Sequence, residues 1–106
     1  MHKKKILISW HYLMPLAKKY KNLFKKENID YDTISVNPSL NEKQLLKIIH
    51  KYEGIICGDD EITKKVIDKA KKLEVISKWG TGLDSIDVNY AKKKNILICN
   101  SPKAFV

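Results

Sequence analysis

The chain has 106 residues, 43% of them hydrophobic, and a formal charge of +9 from 21 basic and 12 acidic side chains. That length suits one domain with a modest core, and no apolar run approaches the ~18 residues of a membrane span. The basic residues are all lysine and are scattered in short runs, which reads as solvated helix faces. A nucleic-acid surface usually relies on arginine for bidentate contacts, often with interleaved aromatics.

The basic start at Met1 to Lys5 resembles the opening of a signal peptide, but the apolar run 6–9 is far too short for one and no small-residue cleavage site follows. A cytoplasmic protein is expected. Residues 5–10 form a strand candidate. Leu13, Leu16, Ala17, Tyr20, Leu23 and Phe24 then fall at helical spacing with lysines on the other face. Residues 30–36 alternate polar and apolar and read as a second strand. Asn41 can cap a helix, with Gln44 three residues on as its capping-box partner and Leu40 and Leu45 as a hydrophobic staple. That helix should bury Leu45, Leu46, Ile49 and Tyr52. His50 lies on its lysine-bearing side and is expected in solvent.

Residues 54–57 are a short continuous apolar strand, as expected inside a parallel sheet. Thr63 caps the next helix, which buries Val66 and Ala70 and is stapled by Ile62 and Ile67. Strand four is expected at 73–77, a short helix from the Asp87 cap to Lys94, and strand five at 95–99. This β-α alternation predicts an α/β fold: a flavodoxin-like three-layer sandwich around a five-stranded parallel sheet of order 2-1-3-4-5. In that order strand four separates Cys57 from Cys99, so no disulfide can join them. Both read as buried thiols, without CxxC or Cys/His metal spacing.

Ligands of open α/β sheets bind beyond the carboxyl ends of the strands. Here those ends carry Trp10-His11, Cys57-Gly-Asp-Asp60, the stretch 78–82 and Asn100-Ser-Pro102. Gly80-Thr-Gly82 stands out, because two glycines one residue apart let the backbone approach an anion and offer it N–H groups. It is not a dinucleotide fingerprint, since Leu83, Asp84 and Ser85 follow where a third glycine should fall. His11 has no carboxylate partner in sequence, and Asp84 and Asp87 suit a turn and a helix cap. No catalytic constellation and no metal-ligand spacing is present.

Residues 75–87, Val-Ile-Ser-Lys-Trp-Gly-Thr-Gly-Leu-Asp-Ser-Ile-Asp, followed by Ala91-Lys-Lys-Lys-Asn-Ile-Leu-Ile-Cys-Asn-Ser-Pro102, resemble the D-isomer-specific 2-hydroxyacid dehydrogenases, most of all the phosphoglycerate-dehydrogenase-like members. The match is residue by residue only from Val75 to Pro102. The resemblance implies that residues 1–100 are the substrate-binding (catalytic) domain of an NAD-dependent enzyme and that 101–106 begin the hinge, at Asn100, Ser101 and Pro102, into an NAD-binding domain. It implies that the N–H groups of Thr81 and Gly82 hold the substrate carboxylate, that Gly80 shapes the turn and that Lys78 assists. The catalytic Arg, Glu and His of the family have no counterpart in these residues. This chain alone should neither bind NAD nor turn over a 2-hydroxy or 2-keto acid, and it reads as one part of a longer, truncated enzyme. Its partners would be that small acid and the NAD-binding domain, with self-association through the exposed interdomain surface. One departure concerns the turn after strand three. Many members carry an Arg-Ser type turn where this chain has Cys57-Gly-Asp-Asp60, which counts against a phosphorylated substrate.

Two other readings share some of these features. A receiver domain has the same fold, with Asp59 as phosphoacceptor and Lys103 after strand five, but it needs an acidic pair after strand one, where this chain has Trp10-His-Tyr12. A lysine-rich nucleic-acid adaptor would show a steep salt dependence of binding.

Overall fold

The three inner strands are short apolar runs because each is flanked by strands on both sides, while the two edge strands have one neighbour each. A computed structural model describes residues 4–10, 25–36, 39–78 and 83–100. Strands β1 (Lys4–Trp10), β2 (Ile29–Val36), β3 (Gly54–Cys57), β4 (Val75–Lys78) and β5 (Leu97–Asn100) form one sheet of order β2-β1-β3-β4-β5. Every neighbouring pair is parallel, so the expected α/β topology is borne out. Helices α1 (Glu42–Ile48), continued by a 3-10 turn at Ile49–Lys51, α2 (Lys64–Lys69) and α3 (Val88–Lys93) carry the chain from β2 through β5. The helix expected between β1 and β2 falls on residues outside the described ones.

Strand register sorts the side chains into rows. Leu7, Ile55, Ile76 and Ile98 stand opposite one another across four strands, and the first three are buried. They meet Leu45 and Ile49 from the first helix, Val66 and Ile67 from the second and Ala91 from the third, which form one hydrophobic cluster with them. Burying each such side chain contributes roughly 1.5–3 kcal/mol. At Gly54, which opens β3, a side chain would press on its neighbours. A Cβ there would lie 3.1 Å from both Ile6 Cγ2 and Val75 Cγ1. Leu97, on the other face, is 62% exposed.

The caps form largely as the residue types dictate. Asn41 accepts from the Gln44 N–H at 2.9 Å, and Gln44 returns the bond to the Asn41 N–H, completing the capping box. The Thr63 hydroxyl accepts from Val66 at 3.4 Å, and Asp87 accepts from Tyr90 at 3.1 Å. Leu46 is only partly buried, short of the full burial expected of it, whereas Tyr52 is buried.

Strands four and five begin two residues later than their apolar runs suggest. Leu73 instead seals the end of α2, its N–H donating to the Ala70 carbonyl. Asn95 has φ +61°, the left-handed conformation that Asn tolerates. It ends α3 in a Schellman arrangement, with Asn95 N–H to the Lys92 carbonyl and Ile96 N–H to the Ala91 carbonyl, both at 3.0 Å. Both cysteines are free thiols, with β4 lying between their strands.

Candidate functional site

The carboxyl edge of the sheet is where parallel strands leave their ends unpaired and where loops can be shaped around a ligand. Three loops meet there. Ile62 N–H donates to the Ser85 carbonyl at 2.9 Å, Asp87 N–H donates to the Ile62 carbonyl at 2.9 Å, and Ile62 and Ile86 form an isolated bridge. The loop after β3 is thereby fixed to the residues that follow the glycine stretch. Glu61 N–H donates to the Leu40 carbonyl at 3.0 Å, which ties in the connection leading to α1.

Asp60 joins these pieces. Its side chain is fully buried. One carboxylate oxygen accepts from Leu40 N–H at 3.1 Å and the other from Gly58 N–H at 3.0 Å. A buried carboxylate is tolerated only where hydrogen bonds replace its lost water, and these two backbone donors do so while holding the loops together. By sequence alone Asp60 reads only as part of a turn. Its role was hidden because its partner Leu40 lies twenty residues away.

Lys78 ends β4, in register with Cys57 on one side and Asn100 on the other. Its side chain is 6% exposed, and its ammonium donates to Asp59 Oδ1 at 2.8 Å, while Asp59 itself is 85% exposed. The residue expected to assist an anion from the loop is therefore buried beneath an acidic partner, a pairing that no local pattern announced. Cys57, beside it, is fully enclosed. Burial pushes its thiol pKa up, the Asp60 and Asp59 charges push in the same direction, and Lys78 opposes them, so the thiol stays protonated and unreactive. Cys99 is only partly buried, contrary to expectation.

Of the other residues singled out from sequence, Gly80, Thr81, Gly82, Ser101, Pro102, His11 and Lys103 lie outside the described residues. Asn100 closes β5. Asp87 is the helix cap it was expected to be, and His50 is exposed. Among the described residues, the buried hydroxyls Ser9 Oγ, near the end of β1, and Ser85 Oγ find no hydrogen-bond partner. Among the described residues, no three His, Cys, Asp or Glu side chains converge as a metal site, and no helix is long and apolar enough to cross a membrane. A groove lined by Ile67, Asp68, Lys71, Lys94 and Ile96 lies between α2 and α3, at the amino ends of β4 and β5 and away from this edge.

Comparison with known proteins gives the fold and edge a context. Residues 7–106 match the family model of the D-isomer specific 2-hydroxyacid dehydrogenase catalytic domain. A D-3-phosphoglycerate dehydrogenase from Archaeoglobus fulgidus is 27% identical over 89 residues, which cover 83% of this chain and 16% of that protein. The chain thus spans about a sixth of that relative's length. Among solved structures, the NAD+-bound 3-phosphoglycerate dehydrogenase of Entamoeba histolytica superposes with a TM-score of 0.82 at 20% identity, covering 95% of this chain and 33% of that one. A D-lactate dehydrogenase of Aquifex aeolicus, complexed with NAD and lactic acid, gives 0.67 at 22% identity, covering 92% and 28%. At these identities the two structures show the shared fold.

Proposed function

This chain belongs to the D-isomer specific 2-hydroxyacid dehydrogenase family, and on that premise we propose that it is the substrate-binding domain of an NAD-dependent D-2-hydroxyacid dehydrogenase. Residues 1–100 hold a small 2-hydroxy or 2-keto acid. Asn100, Ser101 and Pro102 lead into the hinge toward a dinucleotide-binding domain. The observation that carries the reading is Lys78, a buried cation at the carboxyl end of β4, two residues before Gly80-Thr-Gly82.

The proposed work of this domain is positioning. Thr81 and Gly82 offer backbone N–H donors to the substrate carboxylate, Gly80 lets the turn form, and Lys78, ion-paired with Asp59 at the end of β4, is the basic residue nearest them in sequence. Fixing one end of the substrate orients its C2 carbon for reaction. NAD, held by another part of the enzyme, accepts or supplies the hydride. The residues of this chain do not suit a dinucleotide turn: the position for the third glycine is Ser85, whose carbonyl is bound by Ile62 N–H. No proton or hydride step is assigned to them. The family match over residues 7–106 speaks against a receiver domain and a nucleic-acid adaptor.

Titrating D-lactate into the 15N-labelled chain tests this. Amide shifts are expected to centre on Lys78 and on residues 83–85, with no NADH formed when NAD is added. Shifts centred elsewhere, or turnover at an enzymatic rate by this chain alone, would sink the reading.

A further inference from the structure

Lys78 and Asp59 are an unequal pair. A lysine at the end of a strand ordinarily keeps its ammonium in water, but the Lys78 side chain is only 6% exposed. A buried ammonium holds its charge only beside a counter-ion, and Asp59 Oδ1 supplies one at 2.8 Å. Asp59 comes to it from solvent, since its own side chain is 85% exposed. The pair therefore shows that a carboxylate can reach this buried cation from outside. The neighbouring acid is held differently. Asp60 is fully buried and its two oxygens accept from the N–H groups of Leu40 and Gly58, so moving it would orphan two donors. Asp59 can turn into the water it already shares, provided another anion takes its place on Lys78.

We propose that Asp59 is a resident stand-in for the ligand: it occupies the Lys78 ammonium in the empty domain and is displaced by the carboxylate of the incoming 2-hydroxy or 2-keto acid. One carboxylate replaces another on one ammonium, so the buried charge never passes through the costly unpaired state. The loop itself need not move. Its backbone is tied on both sides of Asp59, at Gly58 N–H by the Asp60 carboxylate and at Glu61 N–H by the Leu40 carbonyl, which leaves the Asp59 side chain as the moving part. Two consequences follow. The ligand must be ionised, because a neutral amide cannot serve as the counter-ion. Asp59 also competes with every ligand, so the observed affinity is lowered by the fraction of time it holds the ammonium. Asp59 is in this sense a positioning residue, acting through Lys78. The inference rests on the substrate-domain reading above and adds how the acid enters its site.

D-Lactate and D-lactamide differ in the charge of one group, so titrating both into the 15N-labelled chain isolates the exchange. With D-lactate the amides of Asp59 and Lys78 should move together at one affinity, and D-lactamide should move neither. Asp59→Asn removes the competing charge and should tighten D-lactate binding by roughly three- to tenfold. Asp59→Glu restores a carboxylate and should return the affinity toward that of the wild type. Adding Lys78→Met to Asp59→Asn should abolish the gain. Asp59→Asn also takes the counter-ion from Lys78, so it should lower Tm, and acetate should raise Tm more in this variant than in the wild type. A merely structural role for Asp59 would give the loss without that rescue. If Asp59→Asn fails to fold, the wild-type titration decides. D-Lactate that shifts residues 83–85 and leaves Asp59 unmoved, or an Asp59→Asn variant that binds no tighter and gains no more from acetate than the wild type, overturns the inference while leaving the substrate-domain reading intact. Failure of D-lactate to shift any of these amides, in the wild type and in a folded Asp59→Asn, overturns both.

Discussion

The two edges of the sheet handle charge in different ways. At the amino edge, ion pairs lie in solvent. Lys4 meets Glu74 at 2.5 Å with side chains 49% and 57% exposed, and Lys5 meets Asp32 at 3.3 Å. At the carboxyl edge the charges go inside, with Asp60 fully buried and Lys78 nearly so. Exposed pairs contribute about 0–1 kcal/mol each and tolerate change. Buried charges survive only with fixed partners, and losing a partner is costly. The amino edge adds one buried carboxylate to these surface pairs, Glu53, which accepts from Lys5 N–H at 2.7 Å, whereas the carboxyl edge buries both an acid, Asp60, and a cation, Lys78.

The sharpest way to break this contrast is Asp60→Ala. It strands the N–H groups of Leu40 and Gly58 in a buried setting. Each orphaned donor costs about 1–3 kcal/mol, so a loss of roughly 2–6 kcal/mol is expected from urea unfolding. The same experiment on Lys4→Ala should register under 1 kcal/mol. If the two variants cost the same, the edges do not differ as described.

Asp60 also marks where the sequence stopped being legible. The strands and the three caps could be read because each depends on neighbours within a few residues (period-2 or continuous apolar runs, Asn41 with Gln44, Thr63 with Val66, Asp87 with Tyr90), and the strand order followed from the β-α alternation. The starts of β4 and β5 were misplaced because an apolar residue serves equally well at a helix end, as Leu73 does. Asn95 looks like a strand residue until its positive φ is known. Of the candidate site, spacing singled out the glycine stretch, whereas the part given to Lys78 came from the family resemblance. The Asp59–Lys78 pair and the Asp60 clamp join residues about twenty apart, and only strand order brings those together.

One position at the amino edge should behave unlike its surroundings. Gly54 begins β3 with Ile6 and Val75 pressed against the space a side chain would need. Gly54→Ala forces those neighbours to give by a few tenths of an ångström, and overpacking of this kind costs about 1–3 kcal/mol. Thermal unfolding should place this variant between Asp60→Ala and Lys4→Ala. A neutral result would mean that the β1–β3–β4 rows relax more freely than close packing allows.

The smallest effect, at Tyr52, separates the edges by pH. Tyr52 is buried and its hydroxyl donates to Asp32 Oδ2 at 2.7 Å, while Lys5 approaches the same carboxylate. Desolvation, followed by the Asp32 bond, raises the Tyr52 pKa above its ordinary 10.0. The Tyr52 bond in turn is the largest influence holding Asp32 below its ordinary 3.8. Both shifts stabilise the fold over a defined window. The Tyr52 contribution is fully present below pH 10 and is lost as pH rises from there through the higher folded value. The Asp32 contribution is present above pH 3.8 and is lost as pH falls through the lower folded value. Tyr52→Phe removes the bond, at about 0.5–1.5 kcal/mol. The stability gap between wild type and variant should therefore be widest between about pH 4 and pH 10 and should narrow outside both limits. Chemical denaturation across that range measures it. A gap that stays constant with pH would show that the phenol contributes by packing alone and that the Tyr52–Asp32 bond is not coupled to titration.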